Sequence, residues 1–233
     1  MDGRRRVDVP TRLYLLLTAW DQQDRPAQPG IGWNHATWSE RLPAHRELFD
    51  RLPNPIDRST AQAHVQHANR AGRYLEAFVA AMVWGYGGVG YGPYRTARVL
   101  TSNPPAAAIF RKIARLVGQD SGPDAFAWLA SHRLKWLGVA FATKYLFFCH
   151  PGDGTRAALV LDSLVSRWLH QHADLRIRLT WRVDDYRRYI DTVTGWAEDL
   201  KVTPADVEYL MFADAVAARS RSQWTGSFLV PPR

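Results

Sequence analysis

Apolar residues recur at the three- and four-residue spacing of an α-helix along much of the chain. One stripe begins at Val65 and runs through Phe78 and Met82, with Gly72 as a weak point inside it. Similar stripes follow Asp162 and begin again at Tyr186. No segment alternates apolar and polar residues with a convincing period of two, as a half-buried strand would. The pattern predicts an all-α fold with at most a small sheet.

Capping signals predict where several of these helices begin. Ser59 or Thr60 could cap the helix that carries Val65, and Ser121 precedes Pro123 at the start of a short helix. A further helix is predicted over 142–149, and Thr203 supplies a cap for the last one.

Proline and glycine concentrate in one region near the start of the chain. Residues 21–57 contain Pro26, Pro29, Gly30, Gly32, Pro43, Pro53 and Pro55 together with Trp33 and Trp38. This composition is typical of irregular structure anchored by aromatic side chains. We therefore expect one unit over 1–233, in which an irregular region, 1–57, packs on a helical core, 58–233, with a hairpin near 134–148.

Composition narrows the class of protein. The apolar fraction is 46%, which excludes disorder as the main state, and the formal charge of +8 favours a polyanionic partner such as nucleic acid. The single cysteine, Cys149, excludes a disulfide framework and suits a reducing, cytoplasmic compartment. The longest apolar runs, 13–20 and 77–84, are shorter than the roughly 20 residues of a membrane-spanning helix.

Neither a metal nor a cofactor is expected. His64 and His67 form one pair, and His170 and His172 form another, but neither pair has a third ligand nearby in sequence. The stretch from Gly85 to Gly90 fits G-x-G-x-x-G, but a helical pattern precedes it where a dinucleotide fold needs a strand.

The segment from Leu134 to Phe148 carries the most informative chemistry. Gly138 marks a turn between two short helices, where backbone N–H groups can face a phosphate. Lys144 is the only cation in the second helix, and its neighbours are apolar or aromatic. Desolvation by such neighbours lowers the pKa of an amine toward that of a nucleophile. A lysine that reaches solvent along an amphipathic helix would give the same pattern.

Asp162 lies eighteen positions after Lys144, inside an otherwise apolar run and at the start of a predicted helix. A carboxylate there could stabilise a cationic sugar and help a nearby lysine lose its proton. It could equally be a simple N-cap, worth about 1 kcal/mol. The sequence leaves both interpretations open.

A hairpin glycine, a lysine after it and an aspartate about eighteen residues further on resemble the helix-hairpin-helix DNA glycosylases, in the 8-oxoguanine branch. This resemblance implies two helical lobes with the active site between them. It also implies that Lys144 attacks C1′ of a flipped nucleotide while Asp162 assists departure of the base. The segments at 84–100 and 186–189 are similar to a compact bacterial subfamily, some of whose members remove glucosylated hydroxymethylcytosine from phage DNA. Leu164 stands where the eukaryotic 8-oxoguanine enzymes carry a histidine.

The remaining site residues are predicted by position. The base pocket is expected to be lined by Phe148, Trp84, Tyr86, Trp224 and Phe228. The expected contacts to double-stranded DNA are Gly138, Ala140, Ala142, Tyr91, Tyr94, Arg95 and Arg98. Each aromatic residue among them could instead be an ordinary packing residue.

Four functions stay open at this level. The leading one is a DNA glycosylase, with or without AP lyase activity, acting on a bulky modified cytosine of phage DNA. Repair of 8-oxoguanine is the second. A helix-hairpin-helix module that only grips DNA is the third, since its charge would be as positive. The fourth is a helical interaction protein in which Lys144 and Asp162 form a structural ion pair. No obligate protein partner is inferred.

Overall fold

The fold is described from a computed structural model for residues 7–119, 121–150 and 157–219. These ranges contain twelve α-helices and one short 3-10 helix, Pro43–His45, and within them the only β pairing is an isolated bridge between Ile31 and Ile56. The all-α prediction is therefore confirmed. The helices are α1 Thr11–Asp21, α2 His35–Arg41, α3 Arg46–Arg51, α4 Arg58–Arg70, α5 Tyr74–Tyr86, α6 Gly92–Thr101, α7 Ala106–Val117, α8 Gly122–Ser131, α9 Val139–Cys149, α10 Ser163–Ala173, α11 Val183–Leu200 and α12 Pro204–Arg219.

Two helices form the centre of the core. Every residue of α5 from Ala77 to Trp84 is buried, and so is every residue of α9 from Ala142 to Cys149. A helix that is apolar on all sides must be covered on all sides. These two helices pack on each other, and α4 and α7 each contact both of them. Lys144 is therefore carried by one of the most enclosed elements of the fold.

The single helix predicted across Gly72 is two helices. Gly72 adopts a positive φ of 73°, which ends α4 and lets the chain turn back into α5. The cap of α4 also lies two to three residues earlier than predicted. The carboxylate of Asp57, rather than Ser59 or Thr60, accepts a 2.7 Å hydrogen bond from the Thr60 N–H.

Residues 21–57 are more regular than their composition indicates. They contain α2 and α3, whose residues Trp38 and Phe49 are buried against each other. The stretches between α1 and α2 and between α3 and α4 have no helix, and the indole N–H of Trp33 in the first donates to the Pro53 carbonyl in the second. Apolar anchoring was predicted correctly, whereas the irregular backbone was wrong over 35–51.

Two predicted N-terminal helix caps agree with the structure. Asp162 is the N-cap of α10, and Thr203 exchanges hydrogen bonds with Asp206 at the start of α12. Helix α9 begins at Val139, three residues before the predicted start.

Within the described ranges, no helix is long and apolar enough to cross a membrane, and no cluster of three His, Cys, Asp or Glu side chains is arranged to hold a metal.

Candidate active site

The segment that leads to Asp162 lies outside the helices and is held from both sides. On one side, the Thr143 hydroxyl of α9 accepts a 3.0 Å hydrogen bond from the Leu161 N–H. On the other side, the phenol of Tyr186 bonds both the N–H and the carbonyl of Leu159, and that of Tyr189 donates to the Val160 carbonyl. Thr143 directly precedes Lys144. The backbone thus places the aspartate beside the lysine before any charge attraction acts.

Lys144 and Asp162 form a buried ion pair. The lysine Nζ lies 3.1 Å from Oδ2 of the aspartate, and both side chains are nearly enclosed, with 11% and 13% of their surface exposed. The other oxygen, Oδ1, accepts hydrogen bonds from the N–H groups of Leu164 and Val165 at the start of α10. Asp162 therefore fills both positions that the sequence left open: it caps α10 and it is the partner of Lys144.

Asp162 remains ionised in this environment. Burial by itself raises the pKa of the carboxyl group, but the charge of Lys144 and the two helix N–H donors outweigh it, so the pKa is lowered overall. An ionised carboxylate next to an amine can stabilise positive charge that develops on a sugar ring.

The stem of Lys144 passes through a gap left by a glycine. A Cβ built on Gly85 of α5 would lie 3.1 Å from Cδ of Lys144 and 3.4 Å from the ring of Phe141. The Phe141 ring stacks on Tyr86 with centroids 3.9 Å apart, and the amine lies 5.6 Å from the Phe141 centroid. Aromatic rings therefore flank the lysine, as its sequence neighbours indicate.

A cavity of about 810 Å³ opens beside this pair. Its walls come from the middle of α9 and α12, from the ends of α4, α5 and α10, and from the helix-free residues before α2, after α5 and before α10. The lining residues with polar or aromatic side chains are Gln28, Arg58, Trp84, Tyr86, Lys144, Asp162, Glu208 and Phe212. Its volume lies in the range of sites that enclose small organic ligands.

The sequence predictions missed a second buried ion pair in this cavity. Glu208 of α12 has no exposed surface, and its Oε2 lies 2.6 Å from Nη1 of Arg58 on α4. Burial raises the pKa of the Glu208 carboxyl, while the arginine charge opposes that shift. The two residues are 150 positions apart, so no local pattern connects them.

Several buried polar atoms in the cavity wall have no hydrogen-bond partner among the described residues. They are both amide atoms of Gln28, the indole nitrogen of Trp84, Oε1 of Glu208 and Nε of Arg58. Buried polar groups in folded proteins are nearly always paired, so unpaired ones that share a cavity indicate a site for a polar ligand. Gln28 was missed because it lies in the proline-rich region, where no helical pattern marks an inward face.

The predicted pocket residues divide into three groups. Trp84 and Tyr86 line the cavity. Phe148 does not, because it is fully buried behind Trp84, against whose ring it packs edge-on at 4.9 Å. Because Phe148 lies one turn after Lys144 on α9, the sequence predicted that it faces the pocket. The indole of Trp84 instead covers Phe148 and lines the cavity itself. Trp224 and Phe228 fall outside the described residues.

The residues of the hairpin between α8 and α9 that were predicted to contact DNA differ in their exposure. Gly138 is exposed and Ala140 is partly exposed at the start of α9, where the first N–H groups of a helix are available to an anion. Ala142 is different. Its side chain is fully buried, and its N–H already donates to the Gly138 carbonyl, so this residue has no group left for a phosphate.

Helix α6 and the hairpin form one face. Tyr91 and Tyr94 are exposed at the start of α6, and the guanidinium groups of Arg95 and Arg98 lie 5.6 and 4.6 Å from the ring centroid of Trp136 in the hairpin. Trp136 is itself exposed and has a positive φ of 72°. We call Arg95, Arg98, Trp136 and Gly138 the hairpin face. The amide of Asn103 joins its two parts by bonding the backbone of Lys135.

The comparison with protein families shows which family the chain belongs to. The family model described as "Putative 8-oxoguanine DNA glycosylase OGG-like protein" matches residues 24–212. The chain belongs to this family. Neither the search of curated proteins nor that of solved structures gave a match. As an OGG-like DNA glycosylase, the protein has DNA as its partner, and the matched range includes Lys144, Asp162, the cavity residues up to Phe212 and the hairpin face.

Proposed function

We propose that this OGG-like glycosylase binds double-stranded DNA, turns a modified nucleotide out of the helix and removes its base with Lys144 as the nucleophile and Asp162 as its assistant. The observation that carries the proposal is the 3.1 Å contact between the two residues inside a cavity large enough for a base. A base must leave the stack to reach such an enclosed site.

The attacking form of Lys144 is a neutral amine, so the lysine first passes its proton out of the ion pair with Asp162 to water in the cavity. Its lone pair attacks C1′ of the extruded nucleotide, the bond between C1′ and the base nitrogen breaks, and the base leaves with that electron pair and takes up a proton. Asp162, kept ionised by its surroundings, stabilises the positive charge on the sugar. The C1′–O4′ bond then opens, O4′ takes up a proton, and the lysine is joined to C1′ as an imine. Elimination of the 3′ phosphate from this imine would be the lyase step.

For the base we propose a bulky modified cytosine, glucosylated hydroxymethylcytosine of phage DNA, and hence a role in antiviral defence in the cytoplasm. The volume of about 810 Å³ supports a substituted base, because an unsubstituted one would leave much of the cavity empty. Leu164, an apolar residue, lines the cavity where the eukaryotic 8-oxoguanine enzymes carry a histidine.

Repair of 8-oxoguanine is the second candidate, and the description of the matched family favours it. Gln28 also favours it, because an unpaired amide offers a donor and an acceptor side by side, as the edge of a guanine requires.

One experiment separates these functions. The protein is incubated with phage DNA that contains glucosylated hydroxymethylcytosine, with unmodified DNA and with an 8-oxoguanine duplex, and abasic sites are counted. Borohydride is added in parallel to an abasic duplex, where it reduces the lysine imine to a stable cross-link. We expect abasic sites in the phage DNA and a cross-link that Lys144→Gln abolishes and Lys112→Gln, remote from the cavity, retains. DNA binding without base release or cross-link would leave a non-enzymatic DNA-binding module.

A further inference from the structure

The ion pair between Arg58 and Glu208 has no role in the steps above, although both residues line the cavity. The guanidinium of Arg58 is fixed by its surroundings. It lies 5.4 Å from the ring centroid of Trp84 and 4.9 Å from that of Phe147, and Nη1 bonds Oε2 of Glu208 at 2.6 Å. A planar guanidinium stacked in this way holds a carboxylate in one orientation. The other oxygen of Glu208 therefore has a defined position.

That other oxygen, Oε1, is buried and accepts no hydrogen bond from the part of the chain that the structure describes. Leaving one oxygen of an enclosed carboxylate without a donor is unfavourable, because the oxygen has lost its hydrogen bonds to water and gained none in return. Glu208 has no exposed surface, so bulk water does not reach it freely. A ligand in the cavity shared with Lys144 and Asp162 is placed to supply the donor.

We propose that Glu208 determines substrate specificity by accepting a hydrogen bond from an N–H or O–H group of the extruded base. This inference rests on the proposed function, because it assumes that the cavity receives a base. Arg58 acts as a positioning residue for Glu208. The donor belongs either to the edge of the base, such as an exocyclic amine, or to a hydroxyl of a sugar substituent.

The chemistry of the pair predicts which bases are excluded. A base that presents a carbonyl oxygen to Oε1 would place two acceptors against each other in a dry site. Sites built around a buried hydrogen-bonding group reject ligands that lack its partner by large factors, because the group is then left unpaired. Glu208 would thus select against bases as well as for them.

The test uses Glu208→Gln, which has nearly the same shape. Its carbonyl oxygen can keep the bond to Arg58, so the amide NH2 group takes the position of Oε1 and meets the substrate donor with another donor. We expect base release to fall by about a hundredfold, as follows from losing one hydrogen bond and leaving both donors unpaired. Cross-linking of Lys144 to an abasic duplex, which contains no base, should stay within about threefold of the wild-type rate.

Two further proteins control for effects on folding. Glu76→Gln removes the same charge from a glutamate that also pairs with arginine, Arg51, but does not line the cavity. It should change neither reaction. The double variant Arg58→Met with Glu208→Met removes the whole pair and leaves no buried charge unpaired, a replacement that folded proteins often tolerate. It should lose base release and keep cross-linking.

A comparison of two substrates identifies the group that donates the hydrogen bond to Glu208. Phage DNA with glucosylated hydroxymethylcytosine and the same DNA without glucose are compared for base release by the wild-type and Glu208→Gln proteins. A larger loss on the glucosylated DNA identifies a sugar hydroxyl, and an equal loss identifies the edge of the base.

The outcomes also distinguish this inference from the proposed function. Glu208→Gln protein that releases base at the wild-type rate overturns the inference and leaves the function in place. Loss of cross-linking together with base release overturns it as well, because Glu208 would then only support the structure. Wild-type protein that neither releases a base nor forms a cross-link refutes the proposed function itself.

Discussion

Asp162 divides its two oxygens between Lys144 and a helix. Oδ2 lies 3.1 Å from the lysine amine, while Oδ1 accepts the N–H groups of Leu164 and Val165 at the start of α10. The position of the charge is therefore set by the direction of α10 and not by the ion pair alone. The two roles of this carboxylate can be separated by substitution.

Asp162→Asn should remove the charge and keep the cap, since asparagine is as good an N-cap as aspartate. We expect base release to fall by about 10² to 10³, the usual effect of removing one group that stabilises charge in the transition state. Asp162→Ala should lose the cap as well and be less stable than the asparagine variant by about 1 kcal/mol. Denaturant unfolding and counting of abasic sites measure the two effects. Wild-type base release by the asparagine variant would contradict the role of the charge.

The hairpin face should carry part of the affinity for DNA. Arg98 is exposed, forms no ion pair within the described ranges and stacks on Trp136, so it is free to contact a phosphate. Arg98→Gln should weaken binding to any duplex and reduce the slope of log K against log salt by about 0.9. Titrations at several salt concentrations give this slope.

Arg70→Gln is the control for that measurement, because Arg70 ends α4 at the opposite end from the cavity residue Arg58. It should leave the slope unchanged. Equal effects of the two substitutions would mean that charge in general, and not the hairpin face, governs binding.

Asp214 should make stability depend on pH. Burial raises the pKa of its carboxyl group, but hydrogen bonds from Arg12 and the Trp168 indole, with the nearby charges of Arg12 and His172, lower it overall. A pKa that is lower in the folded state contributes stability above the unfolded pKa of about 3.9, and this contribution is lost as the pH falls through the folded value.

Asp214→Asn should therefore lower the free energy of unfolding by about 2 kcal/mol at pH 7 and by less at pH 3, which is below the unfolded pKa. Asp50→Asn, which affects an exposed pair with His35, should have little effect at either pH. Unfolding in urea at the two pH values measures both. A loss at Asp214 that is equally large near pH 3 would show that its charge is not the cause.

Cys149 should be unreactive in the folded protein. The thiol is buried at the end of α9, and burial raises its pKa to about 12. At pH 8 only about one thiol in ten thousand would be ionised, and the thiolate is the reactive form. Alkylation by iodoacetamide, followed by mass spectrometry, should be at least about a hundredfold slower in the native protein than in guanidinium. Equal rates would show that α9 opens readily.

The sequence predicted the elements whose signals are local. The apolar stripes, the cap at Asp162 and the lysine in an aromatic helix each depend on residues a few positions apart. Helix α7 carried such a signal too, with Ile109, Phe110 and Ile113 at helical spacing, but it was not among the predicted helices.

The rest of the site could not be predicted because its members come from distant parts of the chain. Glu208 and Arg58 each look like an ordinary charged residue of a helix, and only tertiary packing brings them together. Trp136 likewise has a left-handed backbone that the sequence does not favour for so large a residue. Local signals in the sequence thus indicated Lys144 and Asp162 as candidates, and the tertiary fold supplied the cavity beside them.

The ion pair between Arg12 and Asp214 has a consequence for how far the chain can be shortened. The family match covers residues 24–212, and the two partners lie just beyond its two ends. Their helices, α1 and α12, pack on each other, and α12 also brings Glu208 to the cavity. A protein trimmed to the matched segment would keep every cavity residue up to Phe212. It would lose the ion pair and the helix α1 that hold α12 in place. We therefore expect that a protein able to fold by itself needs residues on both sides of the matched segment.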